Sequence, residues 1–115
     1  MNKTHIQILK ELAKEKEKYF KNYIEFAREI KNKAEKILGK VKVLVFGSVV
    51  KGTYNPLSDI DVLIISDNLP ENWEERRFIK SKIKISFSPF QIHLATNSEY
   101  LSRYKNFIKE DYIEV

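Results

Sequence analysis

Two pieces of sequence decide how this chain is read: Val45-Phe46-Gly47-Ser48-Val49-Val50-Lys51-Gly52 and, shortly after it, Ser58-Asp59-Ile60-Asp61-Val62-Leu63. The first piece ends an apolar run, Val41-Lys42-Val43-Leu44-Val45-Phe46, whose β-branched residues predict a strand stopping at Gly47. Gly47-Ser48 and Gly52 then bracket a tight turn with room for one or two helical turns. A strand that enters a short helix through Gly-Ser leaves first-turn N–H groups unpaired and pointing outward. Such donors attract anions, and glycine lets a phosphate approach the backbone closely. Ser48 adds a hydroxyl donor.

Asn55-Pro56-Leu57-Ser58 reads as a loop, and the chain resumes as a strand from Asp59 to Ile65. Within it the run Val62-Leu63-Ile64-Ile65 predicts burial on both faces. Asp59 and Asp61 stand two apart, so both carboxylates project to the same side. Adjacent like charges repel, and a divalent cation relieves the repulsion. A phosphate cradle beside a carboxylate pair is what metal-assisted phosphoryl or nucleotidyl transfer requires. Either half alone is a common structural device. Their combination between two apolar strands points to function.

Outward from this centre, apolar residues recur with helical spacing from Ile6 to Leu38, as one long helix or two laid end to end. Thr4 with Gln7 forms a capping-box pattern at the start, and Gly39 suits the C-terminal stop. The apolar stripe thins across Lys14-Glu15-Lys16-Glu17-Lys18, which places a bend, or a projecting end, there. Toward the C-terminus, Pro70 suits the first turn of a helix through Trp73, Phe78 and Ile79 to Ile83. Phe90-Gln91-Ile92-His93-Leu94 alternates as a third strand, with Gln91 and His93 on one face. Phe87, Pro89 and Phe90 are expected to pack the approach to it. Thr96 and Glu99 open a last helix through Leu101, Tyr104 and Ile108, and Tyr112 to Val115 adds a short terminal strand. Trp73, Tyr100 and Tyr104 are read as core or interface residues, and Arg76, Arg77, Lys80, Lys82 and Lys84 as a solvated basic surface. His5 is a solvated helix residue, while Glu99 and Asp111 are acids with no pattern tying them to the centre. The element order gives an α/β (α+β) fold, a small mixed sheet flanked by helices with a long N-terminal helix.

The chain has 115 residues, 21 Lys+Arg against 16 Asp+Glu, and a formal net charge of +5. That length holds one core, read as a helical extension over 1–40 on a domain over 41–115. The whole charge excess falls in residues 1–40, which carry 11 basic and 6 acidic side chains. Nucleic-acid binding by this helix is a weaker reading, because no aromatic residues interleave the charges in a stacking pattern. Zero cysteines exclude disulfides, Fe–S clusters and thiolate zinc sites. No apolar run reaches the roughly 20 residues of a membrane span, so no membrane role and a cytoplasmic location are expected.

Gly47-Ser48, Gly52 and Ser58-Asp59-Ile60-Asp61 resemble the Gly-Ser…Asp-x-Asp signature of the polymerase-beta-like nucleotidyltransferase superfamily. In size and spacing the chain is similar to its minimal members. The resemblance implies two Mg²⁺ ions on three carboxylates, and transfer of a nucleoside monophosphate from an NTP to an acceptor nucleophile. It makes Gly47, Ser48, Lys51 and Ser58 candidate nucleotide-binding residues, and Asp59 and Asp61 catalytic metal ligands. The family's third carboxylate lies on a later strand, and Gln91 is aligned with it here. An amide oxygen can ligate a hard cation but brings no charge and is a poor base. His93 is weighed as a base or ligand against a packed strand residue. Val49 and Val50 stand where many minimal members carry Arg. The chain is short for a site that must also shape the acceptor, so the acceptor is expected from a homodimer or a separate helical partner. Pairing as antitoxin with a helical toxin is one form the resemblance permits. A catalytically degenerate nucleotide-binding or partner-binding module is the alternative that Gln91 motivates.

Overall fold

The computed structural model describes residues 3–115 and begins with two helices, α1 (His5–Lys21) and α2 (Tyr23–Leu38). The Thr4–Gln7 capping box is formed in both directions, and Gly39 ends α2 at φ +76°. The break between the helices falls at Asn22 and not across Lys14–Lys18 as expected. The Lys/Glu run consists of good helix formers and is braced by Glu17–Lys21 at 3.0 Å, so it stays helical. The Asn22 side chain instead donates to the Lys18 carbonyl at 3.0 Å, a local bond that competes with helix continuation.

Four strands follow: β1 (Lys42–Phe46), β2 (Ile60–Ile65), β3 (Phe90–Ala95) and β4 (Tyr112–Glu114). They form one mixed sheet in the order β3-β2-β1-β4, with β2/β3 parallel and both β1 pairings antiparallel. Between β1 and β2 lies the short helix α3 (Ser48–Lys51). Helix α4 (Trp73–Ile83) makes the crossover from β2 to β3 that a parallel pair requires. After β3 come α5 (Asn97–Glu99), a π-helical segment (Tyr100–Tyr104) and α6 (Lys105–Ile108). Helix α4 starts later than Pro70 suggests, because the Asn72 side chain caps it by accepting from the N–H groups of Glu74 and Glu75.

Alternation divides the sheet into two faces. One face carries Val43, Val45, Ile60, Val62, Ile64, Ile92 and Leu94, packed under Ala27, Ile30, Ala34 and Leu38 of α2, Ile79 and Ile83 of α4, and Tyr19 and Phe20 of α1. The other carries Leu44, Phe46, Leu63, Ile65 and Ala95 against Ile108, with Tyr100, Tyr104 and Tyr112 alongside. The run Val62–Ile65 is buried on both faces, as its composition predicts. Several aromatic and basic residues depart from expectation. Trp73 is exposed and Phe87 wholly so, because neither lies on a sheet-facing stripe. Arg76 is buried rather than solvated: its guanidinium donates to both carboxylate oxygens of Glu99, at 2.8 and 3.1 Å, and ties α4 to the end of α5.

The first half of α1 extends beyond the sheet, and the molecule measures 51 × 29 × 22 Å. Ile6, Leu9 and Leu12 are exposed there. Among the described residues, no helix is long and apolar enough to cross a membrane.

Candidate active site

The site is built where β1 hands over to α3. Gly47 has φ +91°, a conformation that side chains disfavour. A Cβ added to it would lie 2.6 Å from Oδ2 of Asp61. Glycine is therefore required twice at this corner, once by the backbone and once by the carboxylate resting against it. Val50 and Lys51 donate their N–H groups to the Gly47 carbonyl at 3.2 and 3.3 Å. The N–H groups of Ser48 and Val49 find no protein acceptor among the described residues, as the first turn of a helix dictates. Val49 is buried in the larger core and anchors α3, which explains an apolar residue where Arg is common in the resembling family.

Sheet register fixes what stands beside Asp61. Its antiparallel partner on β1 is Phe46, and its parallel partner on β3 is Gln91. His93, two residues on, shares the face of Gln91, and its Nε2 lies 3.1 Å from Oδ1 of Asp61. The two oxygens of one carboxylate thus face different neighbours, Oδ2 the glycine corner and Oδ1 the imidazole. Both side chains are about a quarter exposed, so solvent and ligand can reach them.

Aromatic rings stand along one side of this cluster. Phe46 lies 5.5 Å from the His93 ring and 6.4 Å, edge-on, from that of Phe107, while Tyr104 is 6.0 Å from His93. Burial, and then the Glu99 charge, push the Tyr104 phenol up from its ordinary value.

The remaining sequence candidates divide. Asp59 sits one residue before β2, exposed, with its carboxylate in no hydrogen bond or ion pair among the described residues. Gln91 is exposed beside Asp61, and Lys51 is exposed at the end of α3. The Ser58 hydroxyl closes its own loop by accepting the Asn55 N–H at 2.9 Å. Glu99 is engaged by Thr96 and Arg76 and takes a structural place, while Asp111 is exposed between α6 and β4. His93 is the residue whose position the sequence reading undervalued. The available signal was its shared strand face with Gln91, and what alternation lacked was the register that carries it to Asp61.

The Asp61 carboxylate at the Gly47 corner offers hard oxygen ligands to a divalent cation, beside N–H groups at Ser48 and Val49 that favour phosphate. Among the described residues, no three His, Asp or Glu side chains gather into a preformed metal cluster.

A family model described as a nucleotidyltransferase domain matches residues 25–115, which include both strands of this corner and the third strand beside it. The chain belongs to this family. The nucleotidyltransferase domain places it in the polymerase-beta-like superfamily, whose members are generally metal-dependent. A curated relative from Methanocaldococcus jannaschii, named as a putative protein adenylyltransferase, is 29% identical over 92 residues, covering 73% of this chain and 93% of that protein. A crystal structure described as that of a putative nucleotidyltransferase superposes with TM-score 0.63 at 36% identity, covering 76% of this chain and 95% of the other. A second, from Sulfolobus solfataricus and described in the same words, gives TM-score 0.60 at 22% identity, covering 90% and 85%; at that identity it shows the fold alone.

Proposed function

We propose that this nucleotidyltransferase domain transfers a nucleoside monophosphate, with AMP from ATP the first choice, to a hydroxyl acceptor on another protein. The observation that carries the reading is the Asp61 carboxylate lying against the Gly47 corner, with unpaired N–H groups at Ser48 and Val49. Asp59 and Asp61 would hold a divalent cation, Mg²⁺ in the form the resemblance implies. Bound there, the ion would offset charge on the triphosphate as pyrophosphate leaves. The chain's own residues do the rest. The Ser48 and Val49 N–H groups and the Ser48 hydroxyl orient terminal phosphates, and Lys51 adds a flexible positive charge. Phe46 and Tyr104 flank the His93 ring on one side. The adenylyl and protein-acceptor choices follow the name of the Methanocaldococcus jannaschii relative. A helical toxin is one partner of this type.

Incubation with ATP labelled at the α-phosphate and a divalent cation, in the presence of extracts or a co-purified partner, tests the proposal. Label should appear covalently on protein, require the cation, and vanish in Asp59→Asn and Asp61→Asn. Label that survives both changes would remove the site from these residues.

The second reading, a binding module that has lost turnover, is favoured by Gln91 standing opposite Asp61 with no third carboxylate gathered beside it. Under it, wild type binds nucleotide without transfer, and Gln91→Glu creates or greatly raises activity.

A further inference from the structure

We infer that the groove between the free half of α1 and the Asn55–Ser58 loop is a docking site for an acidic amphipathic helix of a separate protein. Ile6, Leu9, Leu12 and Ala13 line one wall and Pro56 and Leu57 the other, around a cavity of about 560 Å³. Leu57 is 82% exposed and Ile6 65%, and clustered apolar exposure of this kind marks an interaction surface. Among the described residues of α1, Tyr19 and Phe20 join the core, so the first half of the helix has no part in covering the sheet. That half also stands outside residues 25–115, which the family model matches.

The groove is preformed, which keeps the ordering cost of binding low. Phe20, at the inner end of α1, stacks on Tyr54 with ring centroids 4.6 Å apart. Just beyond, the Asn55 side chain accepts the Leu57 N–H at 2.8 Å and the Ser58 hydroxyl accepts the Asn55 N–H at 2.9 Å. These bonds hold Leu57 facing outward. The loop ends at the residue before Asp59, so a protein seated on it is held at the approach to the candidate active site.

Charge selects the occupant. Lys10 and Lys16 line the groove with no carboxylate beside them, and neither is in an ion pair among the described residues. Glu11 and Glu17 of the same helix are already held by Lys3 and Lys21, at 2.8 and 3.0 Å. Glu15 points away from Ala13 by helical spacing. A second copy of this chain would bring the same two lysines to a two-fold interface, where like charges meet. A helix with acidic residues flanking a leucine stripe instead pairs with both lysines while its apolar side chains enter the groove.

Fluorescence anisotropy with two synthetic peptides of about 16 residues tests this on the full chain. Both carry leucines at i, i+3, i+4 and i+7, one flanked by glutamates and the other by lysines. The glutamate peptide should bind with Kd of about 10 μM and the lysine peptide at least about tenfold more weakly, the preference shrinking as salt is raised. Leu9→Gln and Leu57→Ser, exposed positions on separate segments, should each weaken the glutamate peptide about tenfold. Lys10→Glu combined with Lys16→Glu should reverse the preference, and Asp61→Asn should leave it unchanged. Equal affinity for the two peptides, no binding of either, or binding untouched by both leucine changes would overturn the inference. So would a dimer in sedimentation that Leu9→Gln dissolves, since it gives the groove to a second copy. Transfer activity without the peptide preference would leave the transfer reading standing and remove the docking site. The preference without transfer would do the reverse.

Discussion

The two faces of the sheet are made by the same strands and have different fates. Under α1, α2 and α4, the inward positions of β1, β2 and β3 are apolar from end to end and buried. On the opposite face, Leu44, Leu63, Ile65 and Ala95 pack on the short C-terminal helices, and then the composition changes. Along β2 that face runs from Ile65 through Leu63 to Asp61, and along β3 from Ala95 through His93 to Gln91. A uniform apolar face is an investment in stability. A face that turns polar at one end, where short helices leave it open, is where chemistry can be placed without unfolding the domain. The two faces therefore ought to fail differently when altered.

The largest effect belongs to the open face. Asp61→Asn should lower the transfer rate about thousandfold, some 4 kcal/mol of transition-state stabilisation, while shifting unfolding free energy by less than about 1 kcal/mol. Steady-state transfer and urea unfolding on the same preparation check both halves. A variant that melts instead of losing turnover would assign Asp61 to the structural face. Ile64→Ala is the opposite probe. Its side chain is wholly buried, so it should cost about 3 kcal/mol of stability with turnover per folded molecule unchanged. Gly47→Ala joins the two classes. The φ of +91° should cost about 2 kcal/mol, and the new Cβ would displace the Asp61 carboxylate, so stability and transfer should fall together.

A smaller, pH-dependent effect lies at the Arg76–Glu99 pair. The Thr96 N–H bond holds the Glu99 carboxyl below its ordinary 4.5; burial opposes this and the Arg76 guanidinium assists. The folded chain thus holds this proton less tightly than the unfolded one. The resulting stability is complete above the ordinary glutamate range and is lost as pH falls through and below it. Melting curves from pH 7 to 3 should show Glu99→Gln with lower stability at neutrality and a shallower acid decline; parallel decline would remove the pair from the acid response. Least of all, Lys3→Ala, which breaks an exposed pair with Glu11, should change stability by less than about 0.5 kcal/mol.

The strands and the corner were legible because their signals are local. β-branched runs, Gly47 with Gly52, and the Thr4 and Thr96 capping boxes each act within a few residues of themselves. The break at Asn22 was missed because a dilution of the apolar stripe is a weaker determinant than a side chain that bonds back to the carbonyl four residues earlier. Arg76 was misread for a related reason: its burial depends on Glu99, 23 residues away, and no periodicity encodes that meeting. His93 shows the same limit at the site itself. Alternation gives the face of a strand, whereas the distance from His93 to Asp61 is set by the register of β2 on β3.

The claim on which the functional account rests is that Asp61 and the Gly47-Ser48 corner together hold a cation-loaded triphosphate. Calorimetric titration of ATP into wild type and Asp61→Asn, each with and without a divalent cation, tests it most directly. The account predicts binding in wild type that requires the cation and is lost in the variant. Equal affinity in both proteins, or binding indifferent to the cation, would contradict it.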